Sequence, residues 1–424
     1  MSPALLDIID SNLQLWHQDA TLQSPGYAML NGGSYNFGVE ARAAARLHPR
    51  NINTRFWWQL NTEALQPALG PARHTADLAH AHLENVYRAS GSPEELVLAV
   101  SSSMQRDQLS LLLGIIEQCP FEAVALVNRS VALASIAGVA ARQFHLEVQL
   151  HQALLTELTS TDGIVQFQRS IALPGCGLLQ LQERLVATIA ASFIRQTRFD
   201  PRRKADTEQT LYDALPGSLR ALQEQPETNI EVNGYRARIN RTELAEAGQR
   251  LFSSAKEAMG SLSSSDQLLL DPLVAMLPGA ETQFTGAHIL AVDTLPNSIE
   301  LHQSLLVQRG QALNHVTELP CLSRAAPKDV IAPAPLEPQR EEPQVPDPTH
   351  VLLADASALA LTTAGTTLTK DLRIFSRKGV WCLDGNLGSV QINDGPASGE
   401  IRLVRGDTIT LDNGSKLQLI EVRP

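Results

Sequence analysis

Few residues of this chain combine chemical type and spacing in a way that could support catalysis. His74, His80 and His82, in "HTADLAHAH", bring three imidazoles close together, a composition that suits a metal ion. On the helix predicted there, however, His80 and His82 are two positions apart and point away from each other. With no thiolate or carboxylate set converging on them, the expectation is a solvated helix face and no metal. Ser101, Ser102 and Ser103 offer hydroxyl nucleophiles, but no Gly-x-Ser-x-Gly elbow surrounds them, and capping at a strand-to-helix junction explains them more simply. Cys176 stands between Gly175 and Gly177 and reads as a small residue buried in a tight loop, since nothing points to a lowered pKa. Trp16, Trp57 and Trp58 put three of the four tryptophans in the N-terminal part. They either fill a cleft or anchor a partner, and the usual burial of tryptophan favours filling.

The elements that would position these groups alternate in type. "NLQLWHQD" and "YAML" read as short strands, "GVEARAAARL" as a helix, Arg73 to Ser90 as a long helix and "ELVLAVS" as a buried strand. "QRDQLSLLLGIIEQC" is then helical, "FEAVALVN" a strand and "SVALASIAGVAA" a helix. Such a series favours an α/β sheet packed between helices. A second cycle opens near Phe144, where "FHLEVQLHQALLTELT" and "GIVQFQRSIAL" read as consecutive strands with a turn at Asp162 and Gly163. The loop "LPGCGL", the helix "LQLQERLVATIAASFIRQ", the strand pair "NIEVNG" and "YRARIN", and a helix over Glu243 to Met259 follow. Two cycles predict two lobes, residues 1–142 and 143–322. Ala325 to Pro348 holds seven prolines and clustered charges, which exclude a packed core, so residues 323–349 are expected to be a linker of polyproline character.

At 424 residues the chain exceeds what one core usually serves, and a 43% hydrophobic fraction can fill two or three. The formal charge of −11, without a run of like charges, argues against nucleic acid and anionic membrane surfaces as partners. Cys119, Cys176, Cys321 and Cys382 form no Cys-x-x-Cys pair, which speaks against a zinc site or a secreted disulfide framework. The N-terminal "MSPALLDIIDSNLQLW" is acidic where a signal peptide is basic, and no long apolar run exists. The expectation is a cytoplasmic protein without a membrane helix.

Lysine is the scarce type: six against 28 arginines, the first at position 204. The segment Asn31 to Leu60, "NGGSYNFGVEARAAARLHPRNINTRFWWQL", resembles a stretch of DnaK-type chaperones. In that family a Gly-Glu-Ala-Ala helix leads to an Asn-Thr-x-Phe strand and a phosphate-contacting lysine, where this chain has Trp57 and Trp58. "ELVLAVSSSMQRDQL", "FEAVALVNRSVALASIAG" and "IALPGCGLLQLQERLVATIAASFI" are similar, in the same order, to further strings of the family. Residues 1 to 320 thus resemble the actin-like ATPase superfamily in its DnaK-related branch, which implies two α/β lobes of ribonuclease H-like fold around a nucleotide cleft.

The nucleotide contacts that this resemblance implies are altered. The first phosphate loop, Asp-x-Gly-Thr-Thr, corresponds to Asp7 or Asp10 followed by Ser11, Asn12 and Leu13, which keeps a carboxylate and loses the glycine that lets backbone approach phosphate. Gln149, Leu150, His151, Gln152, Ala153 and Leu154 replace the second loop, Asp-Leu-Gly-Gly-Gly-Thr. Asp271, Pro272 and Leu273 stand where the adenosine site has paired glycines, leaving Pro278 and Gly279 as turn residues. The implied vestigial cleft comprises Asp10, Ser11, Asn12, Trp57, Trp58, Gln149, Asp271 and Gly279, with no catalytic residue and no cofactor.

Val351 to Val422 is rich in β-branched residues and turn glycines with alternating apolar positions, which predicts a small all-β sandwich. "LRIFSRKGVWCLDGNLGSVQINDG" and "GEIRLVRGDTITLDNGSKLQLIEV" resemble the second half of a forkhead-associated (FHA) domain. Phosphothreonine recognition in that family needs an early Gly-Arg, a Ser-Arg-x-x-His loop and an Asn-Gly-Thr loop. Here the first arginine and the histidine are missing, and Ser389 and Asn393 are the remnants. The combined expectation is a pseudo-ATPase that binds other proteins as a scaffold or regulatory subunit. Its alternatives are an ATP-binding DnaK-like chaperone, ATPase or sugar-kinase relative with atypical contacts, Asp10 holding the metal, and an FHA-type phosphopeptide adaptor.

Overall fold

A computed structural model describes residues 2–138, 140–310, 313–321, 348–353, 357–362, 364–369, 372–377, 380–385, 390–393, 395–396 and 402–421. The chain divides into two compact units, Met1–Lys328 and Asp329–Pro424. The first unit begins with an antiparallel meander, β1 (Ala4–Ile8), β2 (Leu13–His17) and β3 (Ala20–Ser24). A small sheet follows, made of β4 (Ala28–Asn31), β5 (Ser34–Phe37) and β6 (Ile52–Asn53), with α1 (Gly38–Ala43) between its last two strands. Next come α2 (Thr75–Ala89), β7 (Glu95–Val100), α3 (Arg106–Ile116), β8 (Glu122–Asn128) and α4 (Arg129–Ile136). β7 lies parallel to β1 and β8 parallel to β7, giving the order β8-β7-β1-β2-β3.

The same plan then recurs. β9 (Arg142–Val148), β10 (Gln152–Thr161) and β11 (Ile164–Pro174) form a second meander. After α5 (Leu178–Thr197), α6 (Ala205–Glu224), the hairpin β12 (Glu227–Val232) and β13 (Tyr235–Asn240), and α7 (Arg241–Met259), β14 (Asp266–Leu270) joins parallel to β9. The short helices α8 (Pro272–Ala275) and α9 (Ala280–Gln283) lead to β15 (His288–Ile289), so the second sheet runs β15-β14-β9-β10-β11, matching the first in order and direction. Beyond α10 (Thr294–Leu306), β16 (His315–Val316) extends the first sheet and β17 (Glu318–Pro320) the second.

Period-two alternation lets each strand serve two layers. Leu6 and Ile8 of β1 enter a core built with α2 and α3. Leu5 faces the other way, into a core holding Val131 and Leu133 of α4, Leu295 and Ile299 of α10, and Leu158, Val165 and Leu269 of the second sheet. α4 and α10 are therefore a layer shared by both sheets. Residues Ser130 to Ser135 of α4 are all buried and all small or apolar, which suits a helix covered on every side. The far face of the second sheet packs Phe144, Leu146 and Val148 against α5, α6 and α7.

The observed elements correct several expectations. The run from Phe144 to Thr159 is two strands, reversed at Gln149 to His151. α1 stops at Ala43 because the Ala44 and Ala45 amides tighten to bonds three residues back. α6 lies where the sequence patterns predict no element: Pro216 and Gly217 interrupt a clear apolar face of Leu211, Leu215, Leu219 and Leu222. Among the described residues no helix is long and apolar enough to cross a membrane.

The second unit is made of antiparallel strands in a six-stranded and a four-stranded sheet. They share a core of Val351, Ile374, Leu383, Ile409, Leu417 and Leu419, among others. Most of the expected linker, residues 323–347, lies outside the described residues.

Candidate functional site

Arg129 opens α4, directly after β8, and Asn128 caps that helix by accepting from the Val131 amide at 3.2 Å. The guanidinium therefore enters the space between the two sheets. Its Nε donates to both Asp7 carboxylate oxygens at 2.9 Å, its Nη1 to Glu147 Oε2 at 3.0 Å and Asp271 Oδ2 at 2.7 Å, and its Nη2 to Asp271 Oδ1 at 3.1 Å. Asp7 comes from β1, Glu147 from β9 and Asp271 from the residue after β14. All four side chains are buried, so one planar fork ties both sheets together through charge-assisted bonds.

Three carboxylates against one guanidinium leave an excess of buried negative charge, which the individual groups relieve differently. Burial pushes Asp7 up to about 6 against the opposing pull of Arg129. Asp271 is held well below the carboxylate range: burial opposes this, but Arg129 and His145 outweigh it. Burial also works against the charge on Arg129, yet Asp271, Asp7 and Glu147 raise its pKa well above the ordinary arginine value. His145, Glu147 and Asp271 present ligand atoms within 4.8 Å of one another, a grouping able to hold a cation. The cation among them is the Arg129 guanidinium.

Next to this cluster, two backbone amides of the β9–β10 turn are already partnered. Gln149 N donates to Gln152 O at 2.8 Å, and Leu150 N to Asp10 Oδ1 at 2.7 Å. The start of α5 is occupied in the same way, because Leu178 N and Leu179 N donate to the carbonyls of Gln149 and Leu150 at 2.8 and 3.1 Å. Free amides at a helix start are what an anion would need. Gly177 makes the contact possible: a Cβ there would lie 2.3 Å from His151 C and 2.5 Å from Gln152 N.

Asp10 follows the β1 strand at the floor of a cavity of about 260 Å³. Burial pushes its carboxyl up to about 7, opposed by the amides of Leu150 and Ser11, and its Oδ2 has no partner of hydrogen-bonding geometry. Asp10→Asn keeps an acceptor for Leu150 and removes the titration. Since Asp10 ionises near 7 when folded and near 3.8 when unfolded, the folded state holds a proton that the unfolded state has lost between those values. Stability contributed by the protonated form is complete below about pH 4 and lost as the pH rises to about 7. The variant is expected to match the wild type near pH 4 and exceed it at pH 8 by up to about 4 kcal/mol. Urea unfolding at both pH values measures this, and a gap independent of pH contradicts it.

Trp57 and Trp58 differ in burial. Trp57 is buried, and its Nε1 donates to His82 Nδ1 at 3.0 Å. That bond fixes the tautomer, so His82 Nε2 carries the hydrogen and donates to Ser24 Oγ at 2.7 Å. Burial depresses the His82 pKa to about 3. His82 is therefore a neutral core residue, stacked on Phe37 at 5.0 Å, which corrects the solvated face expected for it. Trp58 is 39% exposed at the cavity rim and stacks on His151 at 5.1 Å. Trp16 packs against the shared α4–α10 layer instead of the cavity.

Of the sequence-derived cleft residues, Asp10, Trp57, Trp58 and Gln149 line this one cavity. Asp271 belongs to the adjoining Arg129 cluster. Ser11 and Asn12 form the β1–β2 turn, with Asn12 N donating to Ile9 O, and Gly279 caps α9 beside Ala245 of α7; none of these three lines the cavity. Cys176 is fully buried. The serines do not cap α3, because Gln105 and Gln108 form its capping box. Ser101 Oγ instead donates to Glu147 Oε1 at 2.6 Å, across the sheets. Arg129, Glu147 and His145 were not singled out by sequence reasoning, although Gln143, His145 and Glu147 alternate with Phe144, Leu146 and Val148 on a strand buried on both faces. That alternation was the available signal.

In the second unit, Ser389 lies outside the described residues. Asn393 Oδ1 accepts from Thr408 N at 2.9 Å and its Nδ2 donates to Asp407 Oδ1 at 2.8 Å, so its amide braces a loop. No protein-family model and no curated protein matches this chain.

Proposed function

We propose that the first unit is a non-catalytic actin/DnaK-like pseudo-ATPase, serving as a protein-binding scaffold or regulatory subunit of a multi-protein assembly. The observation that carries this reading is Arg129. A metal–nucleotide site at the junction of two such sheets needs carboxylates free to organise Mg²⁺, and here Asp7, Glu147 and Asp271 all bind one guanidinium. The repeated strand order supports the two-lobed part of the reading. The partnered amides at Leu150 and Leu178, and the lysine-free first 203 residues, support the loss of phosphate binding. A guanidinium linking β1, β9 and the end of β14 also holds the sheets in one arrangement, which suits a surface for protein partners better than an opening and closing cleft.

Isothermal titration of the whole chain with ATP and ADP, with and without Mg²⁺, tests the proposal. The expected result is no saturable heat for either nucleotide. A dissociation constant in the range of about 1 μM would establish the alternative, an ATP-binding chaperone-like protein with unusual contacts.

A further inference from the structure

We propose that β3 (Ala20–Ser24) is a docking edge for a second copy of this chain, the two strands pairing antiparallel about a two-fold axis at Leu22. The inference stands apart from the scaffold reading, since a chain that bound nucleotide could pair in the same way. Among the described residues β3 closes one end of the first sheet and is paired on one side only, with β2. Ala20, Thr21 and Gln23 are exposed. An edge strand usually carries a defence against further pairing: short length, a charge, a proline within the strand or a bulge. The other outer strands of the two large sheets, β15, β16 and β17, have two or three residues. β3 has five, "ATLQS", with no charge and no proline, and its register on β2 is unbroken.

The hydrogen-bonding pattern selects the occupant. β2 and β3 are joined by a two-residue turn of Gln18 and Asp19, with Gln18 at φ 55°. The pair that closes such a turn, His17 and Ala20, exchanges hydrogen bonds, and bonded pairs alternate with unbonded ones along the ladder. Ala20, Leu22 and Ser24 therefore bond to β2, while Thr21 and Gln23 direct N–H and C=O away from the sheet. Another strand answers both groups at that spacing. With Leu22 on the axis, Thr21 of each copy faces Gln23 of the other, and every outward group is answered. The two Leu22 side chains then meet in an unbonded pair, where Cα atoms are about 4.5 Å apart. Leu22 is half-buried at the margin of the core that α2 and α3 cover, so the contact completes its burial. Charge favours this partner as well. The chain carries −11, which opposes self-association through charged surfaces, but this register sets no acid against an acid. Residues 20–24 are neutral, and Asp19 falls opposite Pro25. Beyond Ser24 the chain turns from the edge toward Asp10, whose carbonyl accepts from Gly26 N at 2.8 Å.

Sedimentation velocity of the intact chain across about 1–300 μM is the test. A monomer–dimer equilibrium with a dissociation constant of roughly 1–100 μM is expected, in the weak range of small interfaces. Thr21→Pro removes an outward N–H and leaves the bonds to β2 in place, so it is expected to fold and to weaken the dimer at least about tenfold. Two further variants read the register. Thr21→Lys with Gln23→Lys sets lysine against lysine and should leave a monomer, whereas Thr21→Lys with Gln23→Glu sets each lysine against a glutamate and should keep or tighten the dimer. A wild type that stays monomeric across the range, a dimer that persists in the double-lysine variant, or double variants that behave alike overturns the proposal. Thr21 and Gln23 are exposed, so the two double variants decide even if the proline variant does not fold.

Discussion

Arg129→Ala is expected to destabilise the first unit by about 3–5 kcal/mol at neutral pH, the loss usual when one member of a buried ionic cluster is removed. The deletion leaves Asp7, Glu147 and Asp271 within a buried space without their common partner. Without the guanidinium that pulls them down, buried Asp7 and Asp271 then prefer their protonated forms, so their folded-state pKa values rise above the unfolded ones. Stability held by protonation is lost as pH rises, and the defect is expected to be smaller at pH 5 than at pH 7.5. Arg129→Lys keeps one charge, but a single ammonium cannot reproduce a fork reaching three acids, so it should fall between the wild type and the alanine variant. The alanine variant also uncovers His145, Glu147 and Asp271, whose ligand atoms lie within 4.8 Å of one another. Mn²⁺ or Zn²⁺ is therefore expected to restore part of the lost stability in the variant and to leave the wild type unchanged. Urea unfolding at both pH values, with and without the ion, measures all of this. An Arg129→Ala midpoint within about 1 kcal/mol of the wild type at pH 7.5 would remove the cluster from any account of the fold or of the missing nucleotide chemistry.

The strands that build the two sheets were readable because their residues obey local rules. Leu96 to Val100 is a continuous apolar run, as a strand covered on both faces should be, and Asp162 and Gly163, both at positive φ, make the tight turn expected between β10 and β11. Arg129 was hidden for the opposite reason. Its partners Asp7, Glu147 and Asp271 are 122, 18 and 142 positions away, and nothing near "NRSVALASIAG" marks it as different from a surface arginine. Gln149 and Asp10 were reached through a family resemblance, while the serines that accept from the Gln149 amide, Ser101 and Ser103, were assigned to helix capping. His82 was misplaced because helical periodicity gives an angle and not the neighbour that fills it. Only the fold brings Trp57, Phe37 and Ser24 around that imidazole.

Gly177 joins the sequence motif to the site, and Gly177→Ala is expected to cost more than about 3 kcal/mol, at the upper end of overpacking effects. Its backbone, φ −69° and ψ 164°, is open to any residue, so the glycine is required by space alone. A methyl there would meet His151 C at 2.3 Å, Gln152 N at 2.5 Å and Leu150 O at 2.6 Å, all backbone atoms. A flexible side chain could move aside at little cost, but here either α5 or the β9–β10 turn must shift. If α5 withdraws, the bonds from Leu178 N and Leu179 N to the turn are lost; if the turn withdraws, Leu150 N leaves Asp10 Oδ1. The second route also moves His151 from beneath Trp58, so the variant's tryptophan emission should change even under conditions where it stays folded. Gly217→Ala is the control. Gly217 lies within α6 with nothing within 4 Å of an added Cβ, and alanine there should stabilise by about 0.5–1 kcal/mol through helix propensity and a less flexible unfolded chain. Should the two substitutions have effects of similar size and sign in urea unfolding, the close packing of α5 on the turn would not be what holds the Asp10 cavity in shape.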